Sequence, residues 1–306
     1  MPCWEKGQAF VTFICIWWYH AGMEKKIEIL HFTDPLCFWC YAMEPEIRKM
    51  RVVLEDQLDY RIVMGVLSSD VSEFIGNDPE SELRYEFFRM TMVDHLTQAA
   101  KVIGMPFATE SLFSGKPQDM VSLPLCLAYC AMKMTDENYA EAYLRRMREC
   151  VFAEGRNLSR ADDQVQLASE FPIDIEQFRG NLESDAVMNV LQDGVDECQR
   201  YSATMFPSLL MSYGESRVMV AGYAGYDGLK QAVGQLTDGV ITLSEAEYSF
   251  GALEAFVQRF GKVAAREVQV MFSFTDDQLS NAVMDLVSTG RYTTQSCGSS
   301  YFIVPA

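Results

Sequence analysis

Two cysteines separated by two residues, Cys37 and Cys40, lie between a predicted strand and a predicted helix, and this arrangement constrains the fold more than any other feature. Residues 27–32 alternate in polarity and are rich in branched and aromatic side chains, which is typical of a strand. A helical pattern then runs from Tyr41 to Leu58. The sequence therefore predicts that the cysteine pair begins a helix directly after a strand.

The start of a helix changes the chemistry of a thiol. The helix dipole and the free amide N–H groups of the first turn favour negative charge, so we expect a lowered pKa at Cys37 and assign it as the nucleophile. Cys40, one turn into the helix, is placed to attack the mixed disulfide that Cys37 forms with a client and so to release the client. Pro45 follows five residues after Cys40 and is expected to bend the helix.

A zinc site and an inert structural pair are the alternatives to redox chemistry. Structural zinc usually takes four ligands, and the chain has no other C-x-x-C motif to supply a second pair. No other pattern in the sequence predicts a metal or an organic cofactor, so we expect neither.

The elements around the cysteine pair predict an α/β fold. A second strand, residues 60–69, follows the first helix, and this order is typical of a parallel pair with a crossover helix. Helical patterns then fill about residues 72–202, too much for a simple crossover, which indicates an inserted helical subdomain. Two more strands joined through Gly214 predict a hairpin, and a short helix closes a main domain of residues 24–240.

Residues 241–306 predict a small winged-helix-like domain, with three helices and a terminal hairpin around Gly298. Thr275 is expected to cap the third helix. Seven acidic side chains against four basic ones give this segment a net negative charge, and the third helix begins with Asp276 and Asp277. Phosphate groups would be repelled, so we expect contact with protein rather than with nucleic acid.

The composition of the whole chain narrows the function further. Its 306 residues carry a formal net charge of −18, which disfavours nucleic acids and anionic membrane surfaces as partners. Nine irregularly spaced cysteines do not predict a disulfide scaffold, so reduced thiols and a cytoplasmic location are expected. Residues 1–23 are expected to lie outside the fold, because Met23 opens MEKKIEILHF, which leads directly into the first strand. Their apolar run is too short to span a bilayer. An export signal is the alternative, but it is less favoured because no signal-peptide cleavage site follows.

A second motif, MFPSLL, lies far from the cysteines in the chain, with Pro207 directly before a predicted strand. On its own, a trans proline that begins the strand is the commoner arrangement. Together with DPLCFWCYAMEP, however, the motif resembles the DsbA-like branch of the thioredoxin superfamily, and its FrnE-like members in particular. This resemblance covers about residues 24–240. It implies a thiol–disulfide oxidoreductase that acts on proteins or peptides bearing cysteines.

The resemblance also implies roles for individual residues. Cys37 and Cys40 would be catalytic, and Pro207 would be a cis-proline that faces them and shapes a groove for an extended client.

The dipeptide between the cysteines, Phe38-Trp39, departs from the pattern of the strongly oxidising members, which place a histidine there. The absence of that histidine should leave the disulfide between Cys37 and Cys40 less oxidising. The apolar pair suits docking on a client, or packing over the disulfide. We assign Phe38 and Trp39 as candidate substrate-binding residues, together with Phe206 and Pro207.

The C-terminal stretch ALEAFVQRFGKVAAREVQVMFSFTDDQL resembles the tail of the protease-adaptor proteins called SpxH or YjbH. This likeness implies an alternative function, that of an adaptor that presents a client, such as a transcription regulator, to a AAA+ protease. A third alternative is a glutathione-dependent isomerase or transferase of the kappa-class type. It is less favoured because those relatives usually place a serine where Cys37 stands.

Other candidate residues have simpler interpretations. Cys126 and Cys130, four residues apart on an apolar helix, are expected to be buried thiols rather than a redox pair. Structural roles are expected for His31 and His95, although His31 is the better placed to influence the first cysteine. Glu44 is either a proton-transfer group for the second cysteine or a solvated helix residue.

Overall fold

The computed structural model describes residues 25–72, 81–108 and 117–306, so the expectations for the N-terminal extension lie outside the described residues. The strands are β1 (Ile27–Thr33), β2 (Leu58–Met64), β3 (Ser208–Tyr213), β4 (Ser216–Ala221), β5 (Val263–Ala264), β6 (Tyr292–Cys297) and β7 (Ser300–Pro305). The α-helices are α1 (Phe38–Ala42), α2 (Glu44–Leu54), α3 (Ser81–Ile103), α4 (Leu123–Thr135), α5 (Glu137–Arg148), α6 (Ala161–Ala168), α7 (Ile175–Leu182), α8 (Asp185–Arg200), α9 (Tyr226–Leu236), α10 (Phe250–Phe260), α11 (Ala265–Phe272) and α12 (Asp276–Ser288). Within these ranges, no helix combines the length and the apolar character needed to cross a bilayer.

The main sheet has four strands in the order β2-β1-β3-β4. Strands β1 and β2 are parallel, in register from Ile27 opposite Leu58 to Thr33 opposite Met64. Strand β3 runs antiparallel to β1 and forms a hairpin with β4 around Gly214, whose φ of +61° suits glycine. The predicted parallel pair and hairpin are therefore confirmed.

Two boundaries near the cysteines differ from the sequence prediction. The expected single helix is divided into α1 and α2, with Met43 between them and Pro45 in the first turn of α2, where its missing N–H is tolerated. Strand β2 ends at Met64 rather than at Ser69, because the N–H of Leu67 turns towards a side chain and donates to Asp34 at 2.7 Å. As a result, the segment after β2 is hydrogen-bonded to Asp34, just before α1, and α1 itself ends at Ala42.

Helices α3 to α8 lie between β2 and β3 in the chain, as the sequence predicts for an insertion. Their apolar side chains form one buried cluster that also takes in Phe38 and Tyr41 of α1. The Tyr41 hydroxyl donates to the carbonyl of Pro106 at 3.0 Å. The insertion therefore covers one side of the cysteine helix and fixes its position.

The C-terminal segment forms a three-helix unit with a small sheet in the order β5-β7-β6. Thr275 caps α12 by accepting from the N–H of Gln278 at 3.3 Å, as predicted. Helix α10 ends earlier than its pattern indicates, because Gly261 takes a φ of +69° and the next residues pair with β7. The predicted hairpin is confirmed, and its turn contains Gly298.

The hairpin turn packs closely on the insertion. A Cβ added to Gly298 would lie 2.2 Å from the carbonyl oxygen of Phe107, so only glycine fits this approach. The Cys297 thiol donates to the carbonyl of Ala153 at 3.0 Å, and the Ser300 hydroxyl donates to that of Gly104 at 2.9 Å. The C-terminal unit is thus joined to the helices that cover α1.

A buried carboxylate makes the second attachment of the C-terminal unit. Glu267 of α11 is fully buried and forms ion pairs with Arg48 of α2 at 2.8 Å and with Arg145 of α5 at 3.0 Å. Its second oxygen accepts from the N–H of Ala264 at 2.6 Å. One side chain therefore compensates the buried Arg145 and the partly buried Arg48, which both belong to the rest of the fold.

Glu267→Gln should destabilise the protein by about 3 kcal/mol, because it removes the carboxylate that Arg48 and Arg145 share and leaves Arg145 with fewer acidic partners. Urea unfolding followed by circular dichroism measures this change. Asp285→Asn, an exposed acid on α12 of the same unit, is the matched control and should leave the free energy of unfolding nearly unchanged. Equal effects of the two substitutions would contradict the role assigned to Glu267.

Candidate thiol site

Cys37 and Cys40 lie at the first turn of α1 as free thiols. Cys37 is the N-cap residue, and its sulfur accepts from the N–H of Cys40 at 3.2 Å. The sequence predicts this position. Cys37 is 5% exposed and Cys40 is fully buried, so only the first sulfur is open to an outside disulfide.

The loop before β3 brings the second motif against the first. The bond between Phe206 and Pro207 is cis, as predicted, and the Cys37 thiol donates to the carbonyl oxygen of Phe206 at 3.4 Å. The Phe206 ring lies so close to Gly65 that a Cβ there would be 2.1 Å from it. The structure thus brings together residues 169 positions apart in the chain.

A groove of about 420 Å³ begins at this loop and runs along the end of α8. Its lining residues, mostly apolar, are Gly65, Val66, Leu67, Val195, Cys198, Gln199, Ala203, Thr204, Met205 and Phe206. Leu67 and Met205 are more than half exposed. An apolar, extended peptide chain would bury these side chains beside the Cys37 sulfur.

The two aromatic residues between the cysteines lie in different environments. Phe38 is 5% exposed and packs edge-on against Phe107 and Phe152 of the insertion. Trp39 is 44% exposed and contacts the ring of Tyr223. The packing interpretation therefore fits Phe38, and Trp39 is the member of the pair that a client can reach.

Burial is the largest effect on both thiols. It raises the pKa of Cys37, and the hydrogen bond between the two thiols acts in the same direction. At Cys40 burial alone would also raise the pKa, but the Cys37 thiol, the His31 ring and the charge of Arg148 outweigh it and lower the pKa. Of the two thiols, Cys40 therefore has the lower pKa. The expectation of a lowered pKa at Cys37 is wrong, because the helix-start argument leaves burial out.

His31 lies on β1 beneath the cysteines and is almost completely buried. Its Nδ1 is 2.6 Å from the hydroxyl of Tyr60 on β2, and its Nε2 has no hydrogen-bond partner among the described residues. The ring is one of the groups that lower the pKa of Cys40. His95, by contrast, is exposed on α3.

Glu44 is buried, so its interpretation as a solvated residue is wrong. Its carboxylate forms ion pairs with Arg145 and with Arg148, the latter at 2.8 Å. Burial would raise the pKa of Glu44, but the arginines outweigh it and lower the pKa. A carboxylate held ionised in this way is a poor proton acceptor, which does not favour the proton-transfer interpretation.

Two further polar residues of the site were not predicted from the sequence. Arg148 of α5 is buried, and its guanidinium donates to the Thr33 hydroxyl and to the carbonyl of Asp34 at 3.2 Å. The buried carboxylate of Asp34 accepts N–H bonds from Leu36 and Leu67, each at 2.7 Å. The D-P pair before the cysteines could have indicated Asp34. No local pattern indicates Arg148.

Cys126 and Cys130, the two thiols that were expected to be structural, lie on α4 of the insertion rather than on α1. Cys126 and Cys130 are both buried, and the Cys126 thiol donates to the carbonyl of Gly65 at 3.3 Å. Burial raises the pKa of each of these two thiols. Neither is bonded to another cysteine among the described residues, so their role as buried structural thiols stays a prediction.

A C-x-x-C pair at the start of a helix, facing a cis-proline loop across a four-stranded mixed sheet, defines a thioredoxin-like thiol protein with a helical insertion. The chain belongs to the thioredoxin family, whose model matches residues 30–231. That range contains the cysteine pair, the insertion and the cis-proline loop.

Relatives with similar sequences extend the likeness into the C-terminal unit. The chain is 20% identical to the ClpXP adapter protein SpxH of Bacillus subtilis over 270 residues, which covers 87% of this chain and 85% of the relative. It is 23% identical to the protein of the same name from Halalkalibacterium halodurans, with 86% and 83% covered. The resemblance to the SpxH proteins is confirmed.

Solved structures share the fold of the main part. A putative protein disulfide isomerase from Nitrosomonas europaea matches with a TM-score of 0.58 at 17% identity, covering 71% of this chain and all of that one. A probable DsbA oxidoreductase from Streptomyces coelicolor matches with a TM-score of 0.53 at 18% identity, covering 72% and 94%. The DsbA-like fold with an α-helical insertion is thereby confirmed.

The different environments of the two aromatic residues predict different effects of truncation. Phe38→Ala should destabilise the protein by about 3 kcal/mol, because it leaves a cavity beside the rings of Phe107 and Phe152. Trp39→Ala, the matched control, should cost less than about 1 kcal/mol, because the indole is partly solvated in the folded state. Urea unfolding of both variants measures the difference. A larger loss for Trp39 would show that the two environments are assigned wrongly.

Proposed function

We propose that the protein is a thiol–disulfide oxidoreductase that acts on cysteines of proteins or peptides. Cys37 attacks the client disulfide, and Cys40 resolves the mixed disulfide that results. The single observation that carries this proposal is the position of the Cys37 sulfur, 3.4 Å from the Phe206 carbonyl at the head of an apolar groove. Cys40 is fully buried, which suits a thiol that reacts only within the protein.

The environment of the pair favours reduction or isomerisation of clients over their oxidation. A disulfide is strongly oxidising when the protein stabilises the attacking thiolate that forms on reduction. Here burial raises the pKa of Cys37, and no histidine lies between the cysteines. We propose that the protein works on clients in a reducing compartment, the cytoplasm.

Cys40→Ser should trap mixed disulfides on Cys37, because the resolving thiol is gone. Non-reducing electrophoresis and intact mass measurement detect the trapped species after incubation with an oxidised peptide. Cys198→Ser, which removes a thiol that lines the same groove, is the matched control and should trap nothing. Absence of any trapped species from Cys40→Ser would remove the basis of the proposal.

The second candidate function is that of an adaptor for a AAA+ protease. Relatives over 86% or more of the chain are named ClpXP adapter proteins, and a match of this length must include part of the C-terminal unit. Under this proposal the groove and Trp39 would bind a client, and the cysteines would be dispensable. An exposed tryptophan next to Cys37 in the chain and an apolar groove that starts at the cis-proline loop also suit a binding surface without catalysis.

Cys37→Ala in the full chain separates the two functions. An oxidoreductase should lose insulin disulfide reduction in a turbidity assay, since its nucleophile is absent. An adaptor carrying the same substitution should still accelerate degradation of a bound client by purified ClpXP. The oxidoreductase function is supported if Cys37→Ala abolishes insulin reduction and neither the wild-type nor the substituted protein accelerates degradation of the client. Accelerated degradation that survives Cys37→Ala supports the adaptor and contradicts our first choice.

A further inference from the structure

Glu46 of α2 is a buried carboxyl group outside the thiol pair. It is 2% exposed, and its Oε1 accepts a hydrogen bond from the hydroxyl of Tyr223 at 3.1 Å. Its Oε2 is buried and has no hydrogen-bond partner among the described residues. Arg266 of α11 is its only ion-pair partner in the described part of the chain, and at 4.0 Å the two groups are too far apart for a hydrogen bond. A carboxylate that is buried with so few partners is costly to the fold.

Glu46 gains and loses its proton near neutral pH. Burial is the largest effect and raises its pKa to about 7. Its own backbone N–H, the charge of Arg266 and the hydroxyl of Tyr223 act in the opposite direction without outweighing burial, and Glu267 adds to the rise. The titratable and charged groups that face Glu46 or line the same cavity are Lys49, Tyr223, Tyr226, Asp227, Glu245, Arg266 and Glu267.

Tyr223 connects this carboxyl group to the surface beside the cysteines. Its ring contacts the ring of Trp39, with the two centroids 5.9 Å apart, and Trp39 lies between Cys37 and Cys40 in the chain. Tyr223 is 37% exposed and Trp39 is 44% exposed. Burial raises the pKa of Tyr223 to about 12, so its hydroxyl remains a hydrogen-bond donor at neutral pH. Glu46 therefore holds the aromatic neighbour of the tryptophan that a client can reach.

The strength of this hold depends on the charge of Glu46. A hydrogen bond to a carboxylate is about twice as strong as one between two neutral groups. Glu46 and Tyr223 both line a cavity of about 410 Å³, so the tyrosine side chain has free space to move into when its hydroxyl is weakly bound. Ionised Glu46 should therefore keep the Tyr223 ring against Trp39, and protonated Glu46 should allow it to move away.

We propose that Glu46 is a positioning residue for client binding, which in its ionised form fixes Tyr223 and, through it, the indole of Trp39. This inference rests on the proposed oxidoreductase function, in which a client that contacts Trp39 reacts with Cys37. Side chains that are ordered before binding reduce the entropy that is lost when the client binds. Clients with apolar side chains should therefore be bound more tightly above pH 7 than below it.

The attack of Cys37 on a disulfide isolates this effect. In the full-length Cys40→Ser variant the reaction stops at a mixed disulfide, which acid quenching and intact mass measurement follow over time. One probe is the symmetrical disulfide of a blocked, uncharged peptide with phenylalanine and leucine beside its cysteine. The other is bis(2-hydroxyethyl) disulfide, which has no apolar side chain to place on Trp39. Both probes react with the same thiolate, so the ratio of their rate constants removes the ionisation of Cys37 from the pH profile.

The ratio of the peptide rate to the small-disulfide rate should rise about fivefold from pH 6 to pH 8, the size expected from ordering one side chain in advance. Glu46→Gln should keep the ratio at its low-pH value throughout. Tyr223→Phe, which removes only the hydroxyl, should do the same. Glu247→Gln, which removes an exposed acid from the segment before α10, is the matched control and should retain the full rise.

The stability of Glu46→Gln shows whether the substituted chain is folded. Because folding raises the pKa of Glu46 from its ordinary value of 4.5 to about 7, the folded chain holds a proton that the unfolded chain releases. The stability of the wild-type protein should therefore fall, through this group, as the pH rises across that interval. Glutamine does not ionise, so the urea midpoint of Glu46→Gln should increase relative to that of the wild-type protein between pH 5 and pH 8.

The possible failures are distinct. A ratio that does not change with pH in the Cys40→Ser variant, or a rise that survives Glu46→Gln or Tyr223→Phe, would overturn the role of Glu46. The mixed disulfides observed in the same experiment would leave the oxidoreductase function standing. Absence of a mixed disulfide with both probes would overturn the oxidoreductase function itself, and this inference with it.

Discussion

A group of buried ion pairs around Arg145 and Arg148 determines how the parts of this fold meet. Arg148 contacts the end of β1 and, through Glu44, the start of α2. Arg145 contacts the same glutamate and Glu267 of the C-terminal unit. Replacing both members of a buried ion pair by apolar groups often leaves the free energy of unfolding unchanged, whereas removing one member is strongly destabilising. The cluster therefore specifies the arrangement of the strand, the insertion and the C-terminal unit more than it adds net stability.

The chemistry of the thiol pair depends on the same cluster. The charge of Arg148 lowers the pKa of Cys40, while burial beside the cis-proline loop raises the pKa of Cys37. In the open first turn of an isolated helix the opposite order of the two pKa values would be expected. The insertion supplies both Arg148 and the aromatic rings that bury Phe38. It thus sets the electrostatics of the site as well as covering it.

The features that the sequence predicts correctly are those with local causes. Alternation and turn residues indicate the parallel pair and the hairpin, and Thr275 indicates the start of α12. Arg148 and Glu267 each form an ion pair with a residue more than 100 positions away in the chain. No periodicity in the sequence predicts contacts between residues so far apart. The error on the Cys37 pKa has the same origin, because burial is a property of the whole fold. The roles of the site residues stay predictions that the geometry supports.

The buried ion pairs around Arg145 and Arg148 also limit which experiments can distinguish the oxidoreductase function from the adaptor function. Glu267 compensates Arg145, Arg145 contacts Glu44, and Glu44 contacts the arginine that stabilises the Cys40 thiolate. Removing the C-terminal unit would therefore expose and unbalance charges that reach the thiol site. A loss of disulfide reduction after such a deletion would not show that the unit binds a client. Single substitutions at Cys37 or on the exposed groove leave the cluster intact, and only they separate catalysis from binding.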